Sequence, residues 1–327
     1  MDTLMSVVPF VSVVLPAYNI ERDVVVAVES ILRQFFSDFE LIVIDDGSTD
    51  RTVDLIKGIG DARIRLLRNG TNRGIVFSLN RGLDEARGRY IARMDADDIA
   101  RPERLARQVA FLEAHPDVGV CGSWVRKFVP HGPRWIYRGP TASSELKTAL
   151  LFATPFVHPS VMIRHSVLAE HAFRYRDGYD TAEDYRLWCD LALVTELATI
   201  PDVLLDYRVS LSSVTGAVFF DRERLARRRT VLRQIWGEFM EKTMGVTPNV
   251  TQLDAHTCFY DRKFVSISSK DKKAAIEWLG QLQQANRKRG FFDGTTLAAV
   301  CDVAARSIGD FSPADIVRRT LIMLFGR

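Results

Sequence analysis

Residues 90–105 read YIARMDADDIARPERL. Tyr90–Met94 is a short apolar run of strand length that passes directly into Asp95-Ala96-Asp97-Asp98. Pro102 then opens a helix pattern that carries Leu105, Val109 and Leu112 on one face. A buried strand, an acidic turn and a helix in that order fit the carboxyl-end edge of an open α/β sheet, where ligands bind. Three neighbouring carboxylates repel one another unless a cation lies between them. A hard divalent ion, Mg²⁺ or Mn²⁺, shared with phosphate oxygens, is the natural neutraliser. In isolation the same residues would be a solvated turn before a helix, so it is the preceding strand that favours the cation.

The same alternation runs upstream. Phe10–Leu15 (FVSVVL) is a β-branched strand ended by Pro16, followed by Pro16-Ala17-Tyr18-Asn19. Asn19 is predicted to cap a helix with Val24, Val28, Ile31, Leu32 and Phe35 inward. Leu41–Ile44 (LIVI) is a second strand running into Asp45-Asp46-Gly47-Ser48-Thr49-Asp50. Ser48 or Thr49 is the expected cap of the next helix, which buries Val53, Ile56 and Ile59 and ends near Gly58 and Gly60. Ile64–Leu67 is a third strand. Asn72-Arg73-Gly74 opens a helix marked by Ile75, Leu79, Leu83 and Ala86, where free amides and Arg73 can face phosphate. Val118–Val120 begins a further strand.

This order predicts an α/β fold: a mostly parallel sheet with helices on both faces. Asn19, Asp45, Asp46, Asp95, Asp97 and Asp98 all fall on its ligand edge. Asp46 is surplus to a simple glycine turn and can accept a hydrogen bond from a base or a ribose.

The chain has 327 residues, 47% hydrophobic and 26% charged, which is globular composition. Its 44 basic and 41 acidic residues leave a charge of +3, too balanced to argue for nucleic acid. Cys121, Cys189, Cys258 and Cys301 stand far apart and form no CxxC pair, so buried thiols in a reducing compartment are expected. Val7–Leu15 is too short for a membrane span and lacks a basic flank. The expectation is a cytoplasmic protein, with peripheral contact at the inner face of the membrane as an option.

From about Ala217 helix patterns take over, over Arg222–Met240, Lys270–Arg289 and Thr295–Ser307. A boundary near Thr215-Gly216 divides an α/β domain, 1–215, from a helical C-terminal extension, 216–327. Arg222, Arg224, Arg227, Arg228, Arg229 and Arg233 form a basic run. Such a run is ordinarily a solvated helix face; an anionic membrane or a lipid-diphosphate acceptor is the alternative. Ile316–Phe325 is either an interfacial contact or a closing core helix.

The motif order is that of a known family. VSVVLPAYN, ELIVIDDGSTDRT, NRGIVFSLNRGL, YIARMDADDIARPERL, HPSVMIR, AEDYRLW and LLDYRVS, spread over about residues 10 to 215, together resemble the family 2 glycosyltransferases of the GT-A fold. The flavour is similar to bacterial enzymes of exopolysaccharide and O-antigen assembly. The resemblance implies inverting transfer of a sugar from a nucleoside diphosphate donor, most often a UDP-sugar, to a hydroxyl of a glycan or lipid-linked acceptor. It places Pro16, Tyr18 and Asn19 at the nucleotide, Asp46 at the base and Arg73 near the pyrophosphate. It makes Asp97 the metal ligand, with Asp95 nearer the ribose or a metal-bound water and Asp98 in support.

Glu183-Asp184 resembles the family's ED pair, whose Asp is the general base. Inversion needs such a group on the face opposite the departing diphosphate. The same two residues also suit the first turn of a helix through Leu187 and Trp188. His158 resembles a family position on the acceptor side of the donor sugar and equally suits a structural hydrogen bond. Trp188 reads as core before it reads as a sugar platform. Many relatives carry a His two residues after the position of Arg208; here it is Ser210, which puts the metal environment in question. The rival readings are a sugar-nucleotide nucleotidyltransferase and a non-catalytic nucleotide-sugar-binding protein. The first would carry a Gly-rich basic loop where Pro16-Ala17-Tyr18-Asn19 stands, and the retained acids speak against the second.

Overall fold

In the computed structural model, which describes residues 8–210, 221–261 and 267–308, nine strands form one sheet. Four of them, β1 (Val11–Ala17), β2 (Phe39–Asp45), β3 (Ile64–Arg68) and β4 (Tyr90–Arg93), pair in parallel in the order β3-β2-β1-β4. Every residue of β1, β2 and β4 is buried. That burial on both faces is why these segments read as unbroken apolar runs. Each such Val, Leu or Ile contributes about 1.5–3 kcal/mol by leaving water.

The other half of the sheet is mixed. The remaining strands are β5 (Ile99–Ala100), β6 (Val118–Phe128), β7 (Arg134–Tyr137), β8 (Met162–Arg164) and β9 (Glu196–Arg208). The order continues β4-β8-β6-β9-β5, with β7 on β6. Only β6 and β9 run parallel there; the β4–β8, β6–β8, β6–β7 and β5–β9 pairings are antiparallel. The expectation of a mostly parallel sheet therefore holds for the first four strands and gives way to a mixed sheet beyond them.

Helices α1 (Val24–Leu32), α2 (Thr52–Ile59), α3 (Ile75–Glu85) and α4 (Arg104–Ala114) follow the strands as the periodicity predicts. Asn19 does not cap α1: its φ is +47° and Asp23 occupies the cap position. Phe35, expected inward, lies beyond the helix end and is exposed. Ser48 and Thr49 do not cap α2 either; Asp50 Oδ1 accepts the Thr52 amide at 3.0 Å. Gly60 ends α2 in the left-handed region, as its position suggested. The four cysteines are free and buried.

After α5 (Ser143–Ala149), α6 (His165–Glu170) and α7 (Glu183–Leu191) come four C-terminal helices. These are α8 (Arg222–Met244), α9 (Val250–Asp261), α10 (Ser269–Arg289) and α11 (Gly294–Ile308). Their apolar residues, among them Trp236, Phe239, Trp278 and Leu297, belong to the same buried cluster as Leu150, Tyr185 and Trp188. Polar links stitch the layers together. Trp236 Nε1 donates to Tyr185 Oη at 2.9 Å, and buried His256 bonds the Leu151 carbonyl at 2.7 Å. The boundary expected at Thr215-Gly216 and the Ile316–Phe325 stretch lie outside the described residues. No helix among the described residues is long and apolar enough to cross a membrane.

Candidate active site

The carboxyl ends of β1, β2 and β4 meet on one edge of the sheet, and parallel register brings their loops together: Ala17 pairs with Asp45 and Val14 with Arg93. Pro16 is buried within β1, while Tyr18 and Asn19 emerge exposed. Asn19 joins the first two loops, its amide donating to Ser48 Oγ and its Oδ1 accepting the Thr49 amide, each at 2.9 Å. Gly47 is required here. Its φ is +79°, and a Cβ would stand 2.5 Å from the Thr71 backbone.

Asp46 is buried and fastens the next loop. Its Oδ1 accepts Asn69 Nδ2 at 2.7 Å and the Arg73 amide at 2.9 Å, and its Oδ2 accepts the Gly74 amide at 2.8 Å. A carboxylate offers about four acceptor positions, and these bonds use three of them. Arg73 is exposed, with its guanidinium 3.9 Å above the Phe77 ring.

The acidic turn after β4 brings carboxylate oxygens of Asp95, Asp97 and Asp98 within 4.8 Å of one another. Asp95 pairs with Arg93 at 2.6 Å. Burial, and then the neighbouring Asp95, push Asp97 up to about 6. Asp98 is almost wholly buried and rises well above the usual carboxylate range for the same reasons. Its Oδ1 accepts the Arg208 amide at 2.8 Å, while its Oδ2 is buried without a partner. An all-oxygen cluster with crowded, partly desolvated acids and one orphaned oxygen fits a hard divalent cation.

Glu183 and Asp184 occupy the first turn of α7. Burial and the adjacent Asp184 raise Glu183 to about 7, and its Oε2 has no partner. Burial raises Asp184 too, against the pull of the Tyr185 amide, Arg228 and Arg93. The buried Trp188 indole N–H lies near enough to favour the Asp184 carboxylate but makes no hydrogen bond of normal geometry. Trp188 itself packs edge-on to Phe156 and His158 in the core, as expected.

His158 opens a short 3₁₀ turn, His158–Ser160, and bonds Tyr175 Oη through Nε2 at 2.9 Å. Burial and the nearby Arg93 hold it well below the usual histidine range, so it is neutral.

Arg93 is the residue that motif reading passed over. It is 5% exposed, pairs with Asp95, and leaves Nε and Nη1 without partners. Its charge acts on Asp98, Glu183, Asp184 and His158, so it couples the acidic turn electrostatically to the α7 pair. The two-residue period of a strand puts Arg93 and Asp95 on one side, a signal present in the sequence.

The basic run on α8 is largely ion-paired. Arg224 meets Asp221, Arg227 meets Glu223, Arg229 meets Asp261, and Arg233 meets Asp254. Arg228 instead reaches the Thr181 carbonyl beside Glu183. The paired arginines offer less free positive charge than the sequence suggested.

Comparison with known proteins defines the class. The family model for glycosyl transferase family 2 matches residues 12–172. A glycosyltransferase of Haemophilus influenzae is 32% identical over an alignment of 231 residues that covers 67% of this chain and 72% of the relative. The Escherichia coli UDP-Glc:alpha-D-GlcNAc-diphosphoundecaprenol beta-1,3-glucosyltransferase WfaP is 30% identical over 69% of this chain and 86% of its own. The amylovoran biosynthesis glycosyltransferase AmsE of Erwinia amylovora is 28% identical over 62% of this chain and 77% of its own. Among solved structures, S. aureus TarS 1-349 in complex with UDP aligns at a TM-score of 0.56 and 19% identity, covering 97% of this chain and 92% of that one. The mannosyltransferase PcManGT of Pyrobaculum calidifontis, in complex with GDP-Man and Mn²⁺, aligns at 0.52 and 19%, covering 96% and 80%. The chain belongs to the family 2 glycosyltransferases, with a GT-A fold followed by C-terminal helices.

Proposed function

We propose that this glycosyltransferase moves a sugar from a UDP-sugar to a hydroxyl of a lipid-linked glycan in bacterial surface-polysaccharide assembly, with inversion at the anomeric carbon. One observation carries the reading: the buried guanidinium of Arg93 pairs with Asp95 of the Asp95–Asp97–Asp98 cluster, and its charge also reaches the Glu183–Asp184 pair. In this reading the acidic cluster belongs to the donor diphosphate and the Glu183–Asp184 pair to the acceptor. The UDP-bound neighbour and the lipid-diphosphate acceptor of WfaP support the choice of substrates.

In this reading Pro16, Tyr18, Asn19 and Asp46 hold the nucleotide, with the Arg73 side chain at the pyrophosphate; the Arg73 and Gly74 amides, expected to be free, are instead taken by Asp46. Asp97, with Asp95 beside it, holds Mg²⁺ or Mn²⁺. A bound cation there supplies neutralisation of the charge left on the diphosphate. The acceptor oxygen bonds to the anomeric carbon as the carbon–oxygen bond to UDP breaks, and its proton passes to the Asp184 carboxylate. The amide end of α7 favours the ionised form of that carboxylate. His158, kept neutral by burial and Arg93 and hydrogen-bonded to Tyr175, sits beside the sugar. The reading places the protein in the cytoplasm, at the membrane face bearing the acceptor. No nucleic acid is involved.

The test is a panel of nucleotide sugars with Mn²⁺ and a GlcNAc-diphosphate lipid, read as nucleoside diphosphate release. Product configuration is read by NMR. No release from any UDP-sugar, with or without acceptor, sinks the activity; a retained anomeric configuration sinks the inversion.

A further inference from the structure

Glu183 and Asp184 are presented by an unusually built turn. Ala182, at the cap position of α7, has no side chain able to cap the helix, and no side-chain cap bond is made. Thr181 just before it has φ +71°. A β-branched residue rarely takes that conformation, and it persists only where surrounding structure holds it.

The holding contacts come from α8, more than forty residues further along the chain. Arg228 Nη1 donates to the Thr181 carbonyl. Tyr179 Oη donates to Glu238 Oε1 at 2.8 Å and accepts from Gln234 Nε2 at 2.8 Å. Trp236 Nε1 donates to Tyr185 Oη at 2.9 Å. Residues of α8 thus grip the segment on both sides of the acid pair.

We infer that α8 is a positioning element for the base, with Arg228 as its clamp: it fixes the Thr181 carbonyl and so sets where Asp184 points. This rests on the reading of Asp184 as the base. The C-terminal helices are then part of the catalytic machinery. Arg228 also adds positive charge near Glu183 and Asp184, which favours their ionised forms.

The experiment compares Arg228→Met, Arg228→Lys and Arg233→Met in the full chain. Arg233 pairs with Asp254 inside the extension and serves as the reference for general loosening. Three quantities are read: hydrogen exchange over 179–186, UDP affinity with Mn²⁺, and transfer from UDP-glucose to a GlcNAc-diphosphate lipid. In Arg228→Met, exchange over 179–186 should rise, kcat should fall about 10-fold or more, and UDP affinity should stay within about twofold. Lysine should restore most of the protection and rate, because it can still donate to the carbonyl. Arg233→Met should leave that segment protected. Unchanged exchange over 179–186 in Arg228→Met overturns the clamp, as does equal loosening of α8–α11 in both Met variants. If Arg228→Met does not fold, Arg228→Gln, too short to reach the carbonyl, decides: exchange raised over 179–186 alone with a slowed rate upholds the clamp, and exchange unchanged there or raised throughout α8–α11 overturns it. A wild-type protein that binds no UDP and transfers nothing counts against the function, while the exchange pattern still decides the clamp.

Discussion

The backbone amide of Arg208 donates to Asp98 Oδ1 at 2.8 Å, joining positions 110 residues apart. Arg208 Nε also donates to the Asp97 carbonyl at 3.0 Å, and its Nη2 pairs with Asp23 at 2.5 Å. The end of β9 therefore holds the acidic turn in place from the side opposite β4. Asp98 Oδ1 is committed to this support and Asp95 to Arg93, which leaves Asp97 as the carboxylate of the turn least engaged by the protein.

That division of labour predicts Asp97→Ala to abolish the Mn²⁺-dependent part of UDP binding. Calorimetry with and without Mn²⁺ checks it. UDP affinity that is the same in chelator as in Mn²⁺ for the unaltered protein would remove the metal assignment.

Asp46→Ala should act differently. It removes the acceptor of three hydrogen bonds from residues 69–74. An unsatisfied buried donor costs about 1–3 kcal/mol, and water reaching this rim offsets part of that. The loop should loosen, with a lower Tm and a loss in UDP affinity of about tenfold, or about 1.4 kcal/mol. The Mn²⁺ dependence should survive. Normal UDP affinity together with a lowered Tm would make Asp46 a loop fastener only.

How far the sequence carries depends on what burial leaves visible. Strands buried on both faces announce themselves, and β1, β2 and β4 fall where their apolar runs lie; the half-buried β3 is still marked by Ile64, Leu66 and Leu67. The two-residue β5 has no pattern to read; it is a strand only because Ile99 and Ala100 pair with Asp206 and Leu205. Helix α9 escapes because Ala255 to Tyr260 are buried consecutively, which erases the one-sided stripe. Asp95, Asp97 and Asp98 were visible as a cluster because adjacent residues must be neighbours. The Asp46 bonds span 23 to 28 residues and depend on a loop path no local pattern encodes. Arg228 was hidden differently: among six arginines nothing local marks the one that turns toward Thr181.

Glu183 gives a pH prediction whose sign follows from its shift. Its folded-state pKa of about 7 lies above the ordinary 4.5. The folded protein therefore holds the proton more tightly than the unfolded chain. This contribution to stability is full below about 4.5 and is lost as pH rises to about 7. Glu183→Gln removes the loss, so its Tm relative to the unaltered protein should climb between pH 4.5 and 7 and then level off. The repulsion between the two carboxylates is mutual, so the acidic limb of the transfer rate should move to lower pH in the variant. A Tm difference that stays flat from pH 4 to 8 would show that Glu183 ionises without penalty.

Asp184→Asn separates chemistry from architecture at the same turn. Asn is nearly isosteric, so folding and the grip of α8 on residues 179–185 should survive. Neither the acidic turn nor the loops after β1 and β2 are touched, so UDP and Mn²⁺ affinity should be nearly unchanged. Asn cannot take the acceptor's proton, and base catalysis is typically worth about 10²–10⁴-fold in rate. The expected signature is a large fall in kcat with little change in donor affinity. If Asp184 served only to start α7, the variant would transfer at a near-normal rate with at most a small loss in Tm. Affinity, Tm and rate measured on this one variant distinguish the two. Near-normal transfer would move the base to Glu183, whose orphaned Oε2 and pKa of about 7 make it the next candidate. His158 is less well placed for that role, since its Nε2 is engaged with Tyr175.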